Sequence, residues 1–196
     1  MTMISIISKK ICMLGDFSVG KTSLIRRFVE RQFSDQYLST VGVKISRKTV
    51  ECQSSEQQES VTVQMMIWDL EGNTKFKAVT PMHLQGASSA VIVADITRQV
   101  TIEHIPDHIQ SFLSVNPNGF VIVALNKSDL VDEAKLAKTL DFLSYKPLDS
   151  VMGIYGTSAK TALQVDQIFH RLAYHMLEKK GRYVTLLPNV GISGFN

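Results

Sequence analysis

Two cysteines, one tryptophan and a formal net charge of only +3 in 196 residues are three scarcities, and each excludes something. Cys12 and Cys52 are too few for a disulfide framework. We read them as one buried thiol in a first strand and one surface thiol near the end of another, which suits a reducing cytosol. The mild charge, without aromatics interleaved among basic residues, argues against nucleic acid as a partner. Arg26, Arg27 and Arg31 on one helix, and Lys44, Arg47 and Lys48 on one strand, read as solvated faces. No apolar run reaches the length of a membrane span. Met1–Ser8 is too short for a secretory signal, and Lys9-Lys10 follow its apolar residues where a signal has its basic residues first. Thr2 is not a myristoylation site, and the terminal Gly194-Phe195-Asn196 offers no cysteine to prenylate.

What is present is an apolar content of 44% with 20% charge, enough for one well-buried core. Ala90–Ala94 and Phe120–Leu125 are unbroken apolar runs, and Val151–Tyr155 is a weaker one; such runs suit central parallel strands covered on both faces. Leu136, Leu140 and Leu143 recur at helical spacing, as do Val165, Ile168, Phe169, Leu172 and Met176. Val43–Glu51 and Val61–Trp68 read as an antiparallel hairpin around the polar tip Gln53–Ser60. The order predicts an α/β domain of three layers with a mostly parallel sheet. The segment 181–196, with Pro188 and three glycines, reads as an extended or mobile tail.

The stretch Gly15-Asp16-Phe17-Ser18-Val19-Gly20-Lys21-Thr22 lies between the apolar strand Ile11–Leu14 and a helix with Leu24, Ile25, Phe28 and Val29 on one face. Strand, glycine loop, helix is the context in which G-x-x-x-x-G-K-[ST] binds phosphate. Gly15 and Gly20 let the backbone turn so that amide groups converge on phosphate oxygens, and the helix N-terminus adds positive potential. Lys21 reaches the β and γ phosphates, and the Thr22 hydroxyl ligates Mg²⁺. The plain alternative is an ordinary strand-turn-helix connection.

Four further segments fall where such a domain uses them. Met65–Asp69 is an apolar strand ending in a carboxylate, with Gly72 completing D-x-x-G. Asp69 can hold Mg²⁺ through a water and the Gly72 amide can touch a γ-phosphate, although many strands end in Asp. Asn126-Lys127-Ser128-Asp129 follows the strand Phe120–Leu125. Asp129 can accept two hydrogen bonds from guanine N1–H and its exocyclic amine, a donor pair that adenine lacks, while the Lys127 stem packs on the ring; a polar turn is the alternative. Thr157-Ser158-Ala159-Lys160 offers amides to guanine O6, or is only a helix cap. Phe33 can pack edge-on to the base, and Thr40 can complete the Mg²⁺ shell.

With these residues in order, the chain resembles a small GTPase of the Ras superfamily, most closely its Rab branch, over about residues 9–180. The resemblance rests on Gly15–Thr22, Tyr37–Val43, Trp68-Asp69, Gly72, Gly86-Ala87, Asp95–Arg98, Asn126–Leu130 and Ser158–Lys160. It implies a six-stranded sheet with one antiparallel hairpin strand, a GTPase domain over 1–180, and GTP or GDP with Mg²⁺ as ligands. It implies a nucleotide site formed by Asp16, Phe17, Ser18, Val19, Gly20, Lys21, Thr22 and Ser23 at the phosphates. Phe33, Tyr37, Thr40, Gly72, Asn126, Lys127, Asp129, Ser158, Ala159 and Lys160 complete that site. Thr22, Thr40 and Asp69 are the implied metal residues; Lys21, Thr40, Gly72 and Asn73 are the implied catalytic ones. Two switch segments, 33–43 and 69–81, would meet an effector, an exchange factor and an activating protein.

The chain departs from the family around one chemical step. Phe17-Ser18 replace the small residues usual in mid-loop, and a phenyl ring there crowds the attacking water. D-x-A-G-Q has become Asp69-Leu70-Glu71-Gly72-Asn73, and Thr74-Lys75 replace the usual Glu-Arg. Asn73 is one methylene shorter than the water-orienting glutamine, and misplacement by about 1 Å can slow a reaction by ~10²-fold. Glu71 sets a carboxylate near an anionic phosphate, unless it has taken over water positioning. These residues predict intact binding with slow hydrolysis. Without a prenylated cysteine, a cytoplasmic protein recruited to membranes by a partner is expected. The alternative is a hydrolysis-deficient GTP-binding scaffold; a P-loop kinase or ATPase is disfavoured by Asn126–Asp129. His104 and His108, four apart with Pro106 between, read as surface polar residues. Trp68 is expected beneath the second switch.

Overall fold

Every position of Ser89–Asp95 and of Phe120–Asn126 is buried, as the unbroken apolar runs require of strands covered on both faces. The computed structural model describes residues 5–35, 40–54, 60–71, 81–144, 150–178 and 184–185. In chain order the elements are β1 Ser5–Leu14, α1 Lys21–Glu30, β2 Val43–Ser54, β3 Ser60–Leu70 and α2 Pro81–Leu84. They continue as β4 Ser89–Asp95, α3 Gln99–Glu103, α4 Ile105–Val115, β5 Phe120–Asn126, α5 Glu133–Ser144, β6 Val151–Gly156, α6 Val165–Glu178 and β7 Val184–Thr185.

The strands form one sheet in the order β6-β5-β4-β1-β3-β2-β7. β1 runs parallel to β3 and β4, and β4, β5 and β6 are mutually parallel. β2 lies antiparallel to β3, from Val43 opposite Leu70 to Gln53 opposite Ser60. The predicted six strands are therefore present, with the hairpin where it was expected. Two features exceed the prediction. β1 begins at Ser5 and not at Ile11, because Ser5–Lys10 pair in register with Val61–Met66; that half-strand alternates, with Ile6 exposed, and so lacks the apolar run of a buried strand. From the tail, Val184–Thr185 pair antiparallel with Gln53–Ser54 at the β2 edge; the rest of 179–196 lies outside the described residues.

Helices cover both faces. Under α1 and α6 the core joins Met13, Leu24, Phe28, Val63, Ile67, Phe169 and Leu172, with the Phe28 and Phe169 rings stacked 4.2 Å apart. Under α2 to α4 it joins Leu14, Leu84, Ile92, Ile105, Ile109 and Phe112. Each such side chain, fully buried, contributes about 1.5–3 kcal/mol relative to exposure. Cys52 belongs to the first cluster with 0% exposure, so the expected surface thiol is a second buried one. Burial pushes both Cys12 and Cys52 up to about 11, with Lys10 partly opposing this at Cys12.

Sheet order reverses at β1, whose neighbours β3 and β4 both come later in the chain. The carboxyl ends of β1, β3, β4, β5 and β6 lie along one rim of the sheet. A crevice at such a reversal is the ordinary ligand site of an open parallel sheet.

Candidate nucleotide site

A cleft of about 360 Å³ on this rim is lined by Phe17, Ser18, Gly20, Lys21, Thr22 and Ser23. Phe33, Thr40, Asn126, Lys127, Asp129, Ala159 and Lys160 line it as well. The predicted loop, base and switch residues thus come together from five separate stretches of chain.

The glycine loop is built by contact as well as conformation. Gly15 has φ +139°, and a Cβ there would stand 2.1 Å from the Val93 carbonyl oxygen. Gly20 has φ +99°, and its Cβ would stand 2.3 Å from Asn126 Nδ2. That amide donates to the Val19 carbonyl at 2.9 Å, while Asn126 Oδ1 accepts from the Ala159 N–H at 3.3 Å. Asn126 thereby binds the phosphate loop to the loop after β6. Lys21 donates from Nζ to the Gly15 and Asp16 carbonyls, 2.8 Å each. Burial lowers its pKa to about 8 against the opposing pull of Asp69 and Asp16, and Arg98 lowers it further.

Thr22 donates from Oγ1 to Asp69 Oδ2 at 2.6 Å, and its oxygen lies 2.8 Å from Thr40 Oγ1. Thr40 Oγ1 also donates to Asp69 Oδ2 at 3.3 Å. Asp69 is 1% exposed, and among the described residues its Oδ1 has no hydrogen-bond partner. Burial raises its pKa, opposed by Thr22, Lys21, Thr40 and Lys44. Three hard oxygen donors with an unsatisfied buried carboxylate oxygen suit a small divalent cation such as Mg²⁺. Tyr37, Gly72 and Asn73 lie outside the described residues, as does most of the second switch.

At the other end of the cleft, Asp129 is exposed and its Oδ1 accepts from Ser158 Oγ at 2.6 Å. Ser158 Oγ also accepts from the Thr161 N–H at 3.0 Å, and Ser128 donates from N and Oγ to the Thr157 carbonyl at 3.1 and 2.9 Å. The two loops therefore present one carboxylate edge, the complement of a paired N–H face. Phe33 is half-buried in the same cleft, with the Arg27 guanidinium 5.9 Å from its ring centre.

Several residues carry more than the sequence suggested. Arg27, read as part of a solvated face, donates to the Ala159 carbonyl at 2.7 Å and the Lys160 carbonyl at 2.9 Å, and Arg31 pairs with Asp166. Lys127 sends its ammonium 2.7 Å from Asp95 Oδ2. Asp95 also accepts from Arg98 Nε at 3.1 Å, and Arg98 Nη2 donates to the Phe17 carbonyl at 2.7 Å. Burial pushes the Asp95 carboxyl up, but hydrogen bonds from Lys127 and Thr97 and the Lys127 charge hold it below its usual range. The segment Asp95–Arg98 was legible as family-like; its link from base loop to phosphate loop was not. Glu71 Oε2 accepts from the Gly42 N–H, which places this carboxylate on the end of the first switch. Trp68 is half-buried with Lys10 Nζ 3.7 Å over its ring; residues 72–80, beneath which it was expected, are not described.

His104 and His108 correct the sequence reading outright. Each is half-buried and bonds Asp16: His104 Nδ1 lies 2.7 Å from Oδ2, and His108 Nε2 2.9 Å from Oδ1. Pro106 sits in the first turn of α4, where its missing N–H removes no helical bond, and the helix runs on through His108. The i, i+4 spacing is the signal the sequence carries, and Pro106 between the two does not break it.

Comparison with known proteins agrees with the geometry. The chain is 35% identical over 168 residues to Ras-related protein RABF2b of Arabidopsis thaliana, covering 85% of this chain and 80% of that one. It is 34% identical over 189 residues to GTP-binding protein ypt5 of Schizosaccharomyces pombe, covering 95% and 87%. Over 162 residues it is 34% identical to Ras-related protein Rab-22A of Homo sapiens, covering 82% and 79%. The sequence profile of the Ras family matches residues 10–178, and the chain belongs to that family as a Rab-like small GTPase.

Proposed function

We propose that this protein is a guanine-nucleotide switch that holds GTP or GDP with Mg²⁺ and hydrolyses GTP slowly. The observation that carries the reading is the meeting of Thr22, Thr40 and Asp69 at one point, 2.6–3.3 Å apart. Thr40 follows α1 by ten residues and belongs to the first switch segment; Thr22 opens α1; Asp69 ends β3. A cation held there by Thr22 and Thr40, with Asp69 Oδ1 as a further acceptor, would neutralise phosphate charge. It would also make the position of the first switch depend on the nucleotide.

Asp129, oriented by Ser158, selects guanine, and Lys21, at the mouth of the loop, pairs with the outer phosphates. Effectors, exchange factors and activating proteins would engage 33–43 and 69–81, and recruitment to a membrane would follow such a partner. Slow turnover rests on Phe17 and Asn73. Phe17 lines the cleft, and its carbonyl is held by Arg98, which fixes the main chain from which the ring projects.

Titration with fluorescent GDP and GTP tests the binding half of this reading. We expect one site per chain, weakening when Mg²⁺ is chelated, and no displacement by excess ATP. Equal competition by ATP would overturn it. The Arg98 anchor on Phe17 favours one second reading, a scaffold that keeps GTP intact; absence of turnover with any cell extract would establish that form.

A further inference from the structure

Asp16 is the one residue of the phosphate loop whose carboxylate is held entirely by another element. Both of its oxygens are taken, Oδ2 by His104 Nδ1 at 2.7 Å and Oδ1 by His108 Nε2 at 2.9 Å. Its carbonyl meanwhile accepts from Lys21 Nζ at 2.8 Å. Asp16 is therefore tied outward to α4 by its side chain and inward to the phosphate-binding lysine by its main chain.

The histidine side of this grip is rigid. His104 caps α3 and His108 donates its N–H to the His104 carbonyl at 3.2 Å, so the rings stand one turn apart on one face. The flanking Ile105, Ile109 and Phe112 are 0–4% exposed and fix that face against the sheet. Phe17, next in the loop, is held through its carbonyl by Arg98.

We propose that His104 and His108 are positioning residues for nucleotide retention: by gripping Asp16 they hold the phosphate loop closed around its ligand. This rests on the nucleotide-binding reading above and adds two residues from outside the loop to that site.

The chemistry follows from the donor inventory. An ionised carboxylate only accepts, so the ring nitrogen facing Asp16 carries a proton in either case. A neutral imidazole supplies that proton through one tautomer, and the ionised carboxylate makes each bond charge-assisted. Partial burial pushes the Asp16 carboxyl up, but the bonds from His108 and His104, together with their charge, hold it below the usual carboxylate range. The Lys21 ammonium also faces Asp16.

The test is the release rate of fluorescent GDP from the full chain with Mg²⁺, measured at one fixed pH. The double variant H104A/H108A should release GDP roughly 3- to 10-fold faster than the wild type. H104N/H108Q, whose amides place an N–H near Nδ1 and Nε2, should restore slow release. A wild-type rate in H104A/H108A, or release from H104N/H108Q as fast as from H104A/H108A, would overturn the proposal. A wild type that binds no GDP would instead sink the nucleotide reading. Amide hydrogen exchange of 15–18 then still decides the grip: faster exchange in H104A/H108A supports it, and unchanged exchange refutes it.

Discussion

Glu71 and Gly42 bind each other twice. The Glu71 N–H donates to the Gly42 carbonyl at 3.0 Å, and Glu71 Oε2 accepts from the Gly42 N–H at 3.0 Å. The β2–β3 ladder ends at Val43 opposite Leu70, so this pair carries it one residue further, to within two residues of Thr40. A position read from the sequence as an unfavourable carboxylate near phosphate is, in the fold, the tie between the ends of both switches.

Removing that carboxylate should loosen the first switch. In E71A the Gly42 N–H turns to water, and we expect faster amide exchange over 40–43 with GTP release rising ~2- to 5-fold, in the range of a single exposed hydrogen bond. E71Q keeps an acceptor oxygen and should stay near wild type. Exchange read by mass spectrometry, beside release kinetics, checks both.

Asp129 should set the base. D129N replaces one acceptor oxygen with a donor that opposes guanine N–H groups, and we expect guanine affinity to fall by at least ~100-fold. The same variant should gain for xanthine, whose second carbonyl accepts. S158A removes the 2.6 Å bond that orients Asp129 and should weaken GDP by ~5-fold. Competition titrations with guanosine, xanthosine and adenosine diphosphates separate these.

Gly20 should tolerate no side chain. G20A would set a methyl 2.3 Å from Asn126 Nδ2 at φ +99°, displacing the amide that joins Val19 to Ala159. We expect a loss of about 2–3 kcal/mol, seen as a fall in Tm of roughly 5–10 °C. Purified protein should carry no nucleotide. Thermal unfolding with assay of bound nucleotide measures it.

Both thiols should be silent in the native state. Cys12 and Cys52 are buried, with pKa pushed to about 11 from 9.0. A folded chain that holds these protons more tightly than the unfolded one loses stability as pH rises from about 9 toward 11. A disulfide reagent at pH 8 should find almost no fast thiol until denaturant is added, and urea midpoints should fall above pH 9, less so in C52A.

Much of this was readable in advance because the signals are local. The runs at Ala90–Ala94 and Phe120–Leu125 have no surface face to satisfy, so periodicity alone identified two central strands. The phosphate loop is legible because Gly15 and Gly20 answer to backbone geometry that few residues adopt. What escaped was long-range. Arg27 reaches Ala159 and Lys160 across 132 and 133 residues, and a lone arginine on a helix carries no mark of that. The alternation of Ser5–Lys10 hides a strand paired with β3 along one edge and half solvated on its face. His104 and His108 showed their helical spacing, yet the carboxylate they hold lies 88 and 92 residues away, and no pattern in a single chain joins them.

Single-turnover conversion of bound GTP by the purified protein with Mg²⁺ is the decisive measurement. We expect slow but complete conversion to GDP, quickening ~10- to 100-fold when Phe17→Gly is combined with Asn73→Gln. Fast wild-type hydrolysis that these substitutions leave unchanged would contradict that expectation.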